Sequence, residues 1–150
     1  MIRILFIIFI LFVSCNDQKT VEPPSNDLKI LDLKTFKLMT PKNWTFVKTI
    51  GIDSYVGRIA IGSGDTLLFD YGRYRCSFGN GNRTIGYDTF DNRAVRIIRP
   101  IQSGKGAIGF QFDSINPDYT KLTIFGDSLD IENESKFLNA VRTISFVTKK

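Results

Sequence analysis

The sequence predicts an α+β fold, an antiparallel β-sheet of about six or more strands with a C-terminal helix packed on one face. Three observations predict it. Short apolar–polar alternations bounded by Gly, Pro and Asn recur from residue 28 onward. A single segment near the C-terminus carries helical spacing. Of the 150 residues, 43% are hydrophobic, which suffices for one core. The same strands allow a lipocalin-like β-barrel as the alternative, and that would leave an internal cavity.

Residues 1–14 belong to none of these elements. Arg3 precedes an unbroken apolar run from Ile4 to Val13. Ten residues are too few to cross a hydrocarbon core that needs roughly 20 helical residues, but they suffice for the apolar region of a secretory signal. Phe12-Val13-Ser14-Cys15 resembles the lipobox of bacterial lipoproteins. Phe12 stands where that family usually carries Leu, and Leu11 lies one place earlier. The resemblance implies cleavage before Cys15, lipidation of its thiol and a place in the bacterial cell envelope, held to a membrane by acyl chains. Residues 15–27 are then the lipidated cysteine and a polar tether containing Pro23 and Pro24. The tether is unable to bury enough apolar area to order itself and spans up to about 40 Å if extended.

A single α+β domain is expected over residues 28–150. Residues 35–39 alternate and end at Pro41, which has no amide to donate to a ladder. Residues 44–48 follow the Pro-Lys-Asn turn. Strands at 57–61 and 66–71 are separated by Gly62-Ser63-Gly64-Asp65. Those at 94–99 and 107–112 flank Gln102-Ser103-Gly104-Lys105-Gly106 as a hairpin, and 121–125 adds another. In 134–144 the apolar residues Phe137, Leu138, Val141 and Ile144 make a helical stripe. Asn133 is the expected N-cap, with Glu134 in the first turn and Arg142 in the last, each suited to its pole of the helix dipole. Residues 145–148 return as a final strand.

Two stretches resemble a known family. Phe36-Lys37-Leu38-Met39-Thr40-Pro41-Lys42-Asn43-Trp44 is similar to the opening of Mog1/PsbP-like domains, and Phe137 to Phe146 is similar to their close. The family includes bacterial lipoproteins of the DcrB type. The resemblance implies a sandwich around a central antiparallel sheet and binding or assembly roles, with no catalytic residue to carry over.

Composition narrows the chemistry. The chain has no histidine, which excludes Ser-His-Asp and Cys-His catalysis and His-ligated metal. No motif calls for a cofactor or a metal. With Cys15 taken by lipid, Cys76 stands alone and is expected in a core or strand position. The formal charge of +5 comes from cations spread along the chain, unlike the concentrated patch of a nucleic-acid binder. Arg73 and Arg75 would share one face of a strand through 72–75. Arg93, Arg96 and Arg99, at a spacing of three, would not. With Arg83 in the Gly-rich segment 79–86, the residues Arg73, Arg75, Arg83, Arg93 and Arg96 are the candidate contacts to an anion or an acidic partner. The segment 79–86 itself has turn chemistry and lacks the ending of a P-loop. Asp127, Asp130, Glu132 and Glu134 fit a helix start better than a calcium loop. Asp53 and Asp70 are the carboxylates a hydrolase would need to bring together. The resemblance to a bacterial lipobox implies that the three Asn-x-Ser/Thr sequons, at Asn43, Asn82 and Asn133, are chance matches rather than glycosylation sites.

The resulting expectation is a lipid-anchored, non-catalytic envelope module that binds a partner protein or supports an assembly. The alternatives are a carrier of a small apolar or anionic ligand and a carboxylate-dependent hydrolase.

Overall fold

The computed structural model describes residues 27–62, 64–74, 76–78 and 82–147. The expectations for residues 1–26, Cys15 among them, and for Arg75 lie outside the described residues.

The strands are β1 (Leu28–Asp32), β2 (Phe36–Pro41), β3 (Thr45–Lys48), β4 (Tyr55–Ala60), β5 (Thr66–Gly72), β6 (Arg83–Phe90), β7 (Arg93–Pro100), β8 (Ala107–Phe112) and β9 (Lys121–Asp127). After them come the helix α1 (Ile131–Arg142) and the two-residue strand β10 (Ser145–Phe146). Seven strands form one antiparallel sheet in the order β3-β4-β5-β9-β8-β7-β6, and β1-β2-β10 form a second, smaller one. This is the predicted α+β class. The barrel alternative fails: β3 and β6 lie at opposite ends of the seven-stranded sheet, and no pairing among the described residues joins them.

The helix and the small sheet cover one face of the large sheet, the inner face. Pleating sends Ile59, Leu67, Phe69, Phe110, Phe112, Leu122 and Ile124 to that face, where each is buried. Rings join the layers. Phe69 meets Phe36 of β2 edge-on at 5.4 Å. Phe110 meets Phe137 of α1 at 5.2 Å, and Phe112 meets Phe146 of β10 at 5.2 Å. The space between the layers is filled by these rings and by Trp44, which is fully buried.

Two strands escape the sequence reading. β1 pairs along its full length with β2, Leu28 opposite Pro41 and Asp32 opposite Lys37, although only Leu31 of its side chains is buried. β6 begins inside the segment read as a turn. It runs antiparallel to β7 from Arg83 opposite Pro100 to Phe90 opposite Arg93. The turn that closes this hairpin is Asp91-Asn92, both at positive φ (46° and 58°), the type I′ geometry that Asp and Asn tolerate.

The helix begins three residues before the predicted start, and its cap is Asp130 rather than Asn133. Asp130 Oδ1 accepts the Asn133 amide at 2.7 Å, and its Oδ2 accepts Asn133 Nδ2 at 2.9 Å. Asn133 Nδ2 also donates to Asp65 Oδ2 at 2.8 Å, tying the helix to the β4–β5 turn. Asn133 therefore occupies a position inside the first turn, where its amide is the donor being capped. Glu134, buried, accepts from Ser103 Oγ and the Gly104 amide and so holds the β7–β8 hairpin loop. Replacing Asp130 by alanine should lower unfolding free energy by about 1 kcal/mol in urea denaturation, as loss of a helix cap does. An unchanged midpoint would show that Asp65 alone holds the turn.

Candidate functional site

The outer face of the large sheet, opposite α1, carries the candidate site. β5 lies near the middle of the strand order and β6 at its edge, so the connection between them must pass β9, β8 and β7. Its described residues lie against the outer face as a strap. Cys76 Sγ donates to Asp70 Oδ2 of β5 at 3.3 Å. Gln111 Nε2 of β8 donates to the Cys76 carbonyl at 3.0 Å. The Phe78 ring stands edge-on to Phe125 of β9 at 5.5 Å. It also covers Gly109, where an added Cβ would come within 2.5 Å of the ring. Arg83 Nη1, at the start of β6, donates back to the Phe78 carbonyl at 2.9 Å.

Beneath the strap the ladder register aligns four polar side chains in one cross-strand row. Asp70 is opposite Thr123, Thr123 opposite Gln111, and Gln111 opposite Arg96. Gln111 and Thr123 are buried on what would be the solvent face of a bare sheet. Three side-chain atoms of this row, Asp70 Oδ1, Thr123 Oγ1 and Arg96 Nε, are buried without a hydrogen-bond partner. Seven buried side-chain atoms among the described residues lack a partner, and three of the seven fall in this one row. Burial pushes the Cys76 thiol up to about 11, with the Asp70 carboxylate adding to the shift. The protonated thiol is thus the form that donates to Asp70.

The candidate arginines divide between two places. Arg83 and Arg96 line one cavity of about 210 Å³ with Ser77, Phe78, Ile98, Gln111 and Cys76. Arg73 and Arg93 lie at the end of the sheet where β5 finishes. β5 ends at Gly72, so Arg73 does not take the strand face expected of it. It lines an open groove with Tyr71, Thr120 and the loop before β4. Arg93 is committed to the fold: Nε donates to the Ile115 carbonyl at 3.0 Å, Nη1 to the Asp91 carbonyl and carboxylate, and the guanidinium lies 4.6 Å over the Phe146 ring. Tyr71 and Thr120 also line a second cleft, of about 510 Å³, with Arg93 and Phe146. Burial raises the Tyr71 phenol, a shift partly offset by Arg93.

The expected separation of the Arg93, Arg96 and Arg99 side chains holds. Their partners on β6 are Phe90, Tyr87 and Thr84, and Arg96 alone takes the outer face. Cys76 lies on the strap rather than in the core or a strand, and it is half-buried. Asp53 lies in the loop before β4 while Asp70 lies under the strap, and they line different cavities. No group of three or more His, Cys, Asp or Glu among the described residues is placed to hold a metal.

The edge next to the Arg83 and Arg96 cavity is the other conspicuous feature. Six consecutive residues of β6, Thr84 to Thr89, are exposed, on both faces of the strand. The two-residue turn makes Phe90 and Arg93 the hydrogen-bonded closing pair. The backbone groups of Asp88, Gly86 and Thr84 therefore turn towards β7, and those of Thr89, Tyr87, Ile85 and Arg83 turn to the open edge. Thr89 reports this direction, because its amide is taken by its neighbour Asp88 Oδ1 at 2.8 Å instead of by the ladder. Ile85 and Tyr87, 45% and 78% exposed, flank Gly86 on the outer face. Their alternation with Thr89 ahead of Asp91-Asn92 is a strand signal, masked in the sequence by the Gly-Asn-Gly run before it.

No protein-family model matches the chain, and no curated protein sequence matches it either.

Proposed function

We propose that this protein is a non-catalytic binding module of the bacterial cell envelope, tethered through lipid on Cys15, and that the free edge of β6 receives an extended segment of a partner protein. The exposed edge is the observation that carries this reading. Protected edges are short, covered or charged, whereas β6 is eight residues long, bare on both faces and bears Ile85 and Tyr87 at its centre. Strand addition supplies affinity through the outward backbone groups of Ile85 and Tyr87, and selectivity through the side chains beside them. The lipid on Cys15 is the expectation from the lipobox resemblance, and the absence of histidine supports the non-catalytic part. A carrier of a small apolar ligand is less well supported, because rings fill the core between the layers.

Proline provides the test. The Ile85 amide points to the open edge, so Ile85→Pro removes an edge donor without breaking the β6–β7 ladder. In cells that make the full chain, a photocrosslinking residue at position 87 should give one discrete adduct. Ile85→Pro should abolish that adduct while changing unfolding free energy by less than about 1 kcal/mol. An adduct that persists in Ile85→Pro, or a complete lack of one, would overturn the proposal.

A further inference from the structure

We infer that the cavity between Arg83, Arg96 and the strap is a binding site for a phosphate group, either inorganic phosphate or the terminal monoester of a larger molecule. The inference stands on the cavity alone and does not depend on what pairs with β6.

Charge and hydrogen bonding carry it. Two guanidinium side chains line a cavity of about 210 Å³, and none of its described lining residues is a carboxylate. Among the described residues Arg96 makes one side-chain hydrogen bond, a long one of 3.4 Å from Nη1 to Gln111 Oε1, and its Nε is buried without an acceptor. No ion pair among the described residues involves it. A half-buried guanidinium ordinarily gains a carboxylate or carbonyl to offset its desolvation. Arg96 lines the cavity instead, where an oxyanion would accept from the guanidinium. Phosphate suits this better than a single carboxylate, since its oxygens can take a forked guanidinium on one side and further donors on the other. Ser77 adds a side-chain hydroxyl to the lining.

The rest of the site holds this arginine in place. Gln111 is pinned through Nε2 to the Cys76 carbonyl, which leaves its Oε1 to orient Arg96. Arg83 is anchored at Nη1 by the Phe78 carbonyl. Ile98, fully buried on the same face, forms an apolar wall. Much of the site is therefore positioned before a ligand arrives, which lowers the entropy lost on binding. The cavity is partly open to solvent, which leaves room for the group a monoester carries.

The test is calorimetric titration of the detergent-solubilised full chain with inorganic phosphate and, separately, with glycerol 1-phosphate. Each is run against sodium chloride at matched ionic strength. Saturable binding of both probes, or of the ester alone, is expected, together with a rise of several degrees in thermal midpoint. Binding of both assigns the site to the phosphate group itself, and binding of the ester alone assigns it to the monoester. Arg96→Gln removes the guanidinium and should weaken binding by about tenfold or more. Its unliganded thermal midpoint should match the parent, because Arg96 contributes only one long bond. The inference is overturned if neither probe binds, if chloride produces the same midpoint shift, or if a folded Arg96→Gln binds as the parent does.

Discussion

Phe69→Ala should lower unfolding free energy by about 3–5 kcal/mol, a large part of the roughly 5–15 kcal/mol available to a domain. Phe69 is almost fully buried at the centre of the inner face, and its ring contacts three others. Phe36 approaches edge-on at 5.4 Å, Tyr55 at 5.3 Å and Phe46 at 6.0 Å. Through Phe36 it joins the large sheet to the small one, so truncation leaves a cavity at the seam between layers, where neither sheet can collapse freely. The backbone adds to this. Gly57 leaves room for the Phe46 and Phe69 rings, since a Cβ there would come within 2.6 Å of both. Urea denaturation of the full chain measures the loss. Val47→Ala, on an exposed strand position, is the control expected within about 0.5 kcal/mol of the parent. A Phe69→Ala loss below about 1 kcal/mol would mean that Phe69 does not join the two sheets.

Gly109→Val should displace the strap. A Cβ at this position would lie 2.5 Å from the Phe78 ring and 2.9 Å from the Ile124 carbonyl, so the ring must leave and the β8–β9 ladder must adjust. The expected loss is about 1–3 kcal/mol, as for overpacking elsewhere. The more telling readout is Cys76. Its thiol is raised to about 11, first by burial and then by the Asp70 carboxylate, so at pH 8 little of it is thiolate and alkylation is slow. Alkylation of the parent should accelerate as pH rises towards 11. Releasing the strap returns the thiol towards its ordinary value of 9.0. The thiolate fraction at pH 8 should then increase by up to about a hundredfold. Peptide-resolved mass spectrometry restricts the measurement to Cys76. Phe78→Ala removes the ring without the backbone clash and should give the same acceleration in a fully folded protein. If Cys76 alkylation in Phe78→Ala keeps the parental rate, Phe78 does not hold the strap.

The two features of the outer face complement each other in chemistry. The β6 edge offers backbone groups and apolar side chains, whereas the cavity one strand inward offers guanidinium groups. The strap separates that cavity from the apolar surface around Leu68 and Phe125, and Cys76 borders both. Variants at Ile85 and at Arg96 therefore probe independent properties of the same face.

The sequence by itself determined the class, most of the strands and the helix, because each rests on a local period or a turn that its own residues enforce. The alternation in 107–112 and the stripe of Phe137, Leu138, Val141 and Ile144 are visible without a partner. β1 was hidden because its alternation is slight, and it is held by pairing with β2 along its full length. Asp130 rather than Asn133 caps the helix because Asp65, far away in sequence, holds the Asn133 side chain as well. The candidate site was legible only as a set of arginines. Which of them meet depended on a connection that crosses three strands, and on a register that places Asp70, Thr123, Gln111 and Arg96 in one row. Cross-strand neighbours are set by pairing between distant segments, and burial on the outer face is set by the strap. Both are long-range effects that local periodicity does not encode.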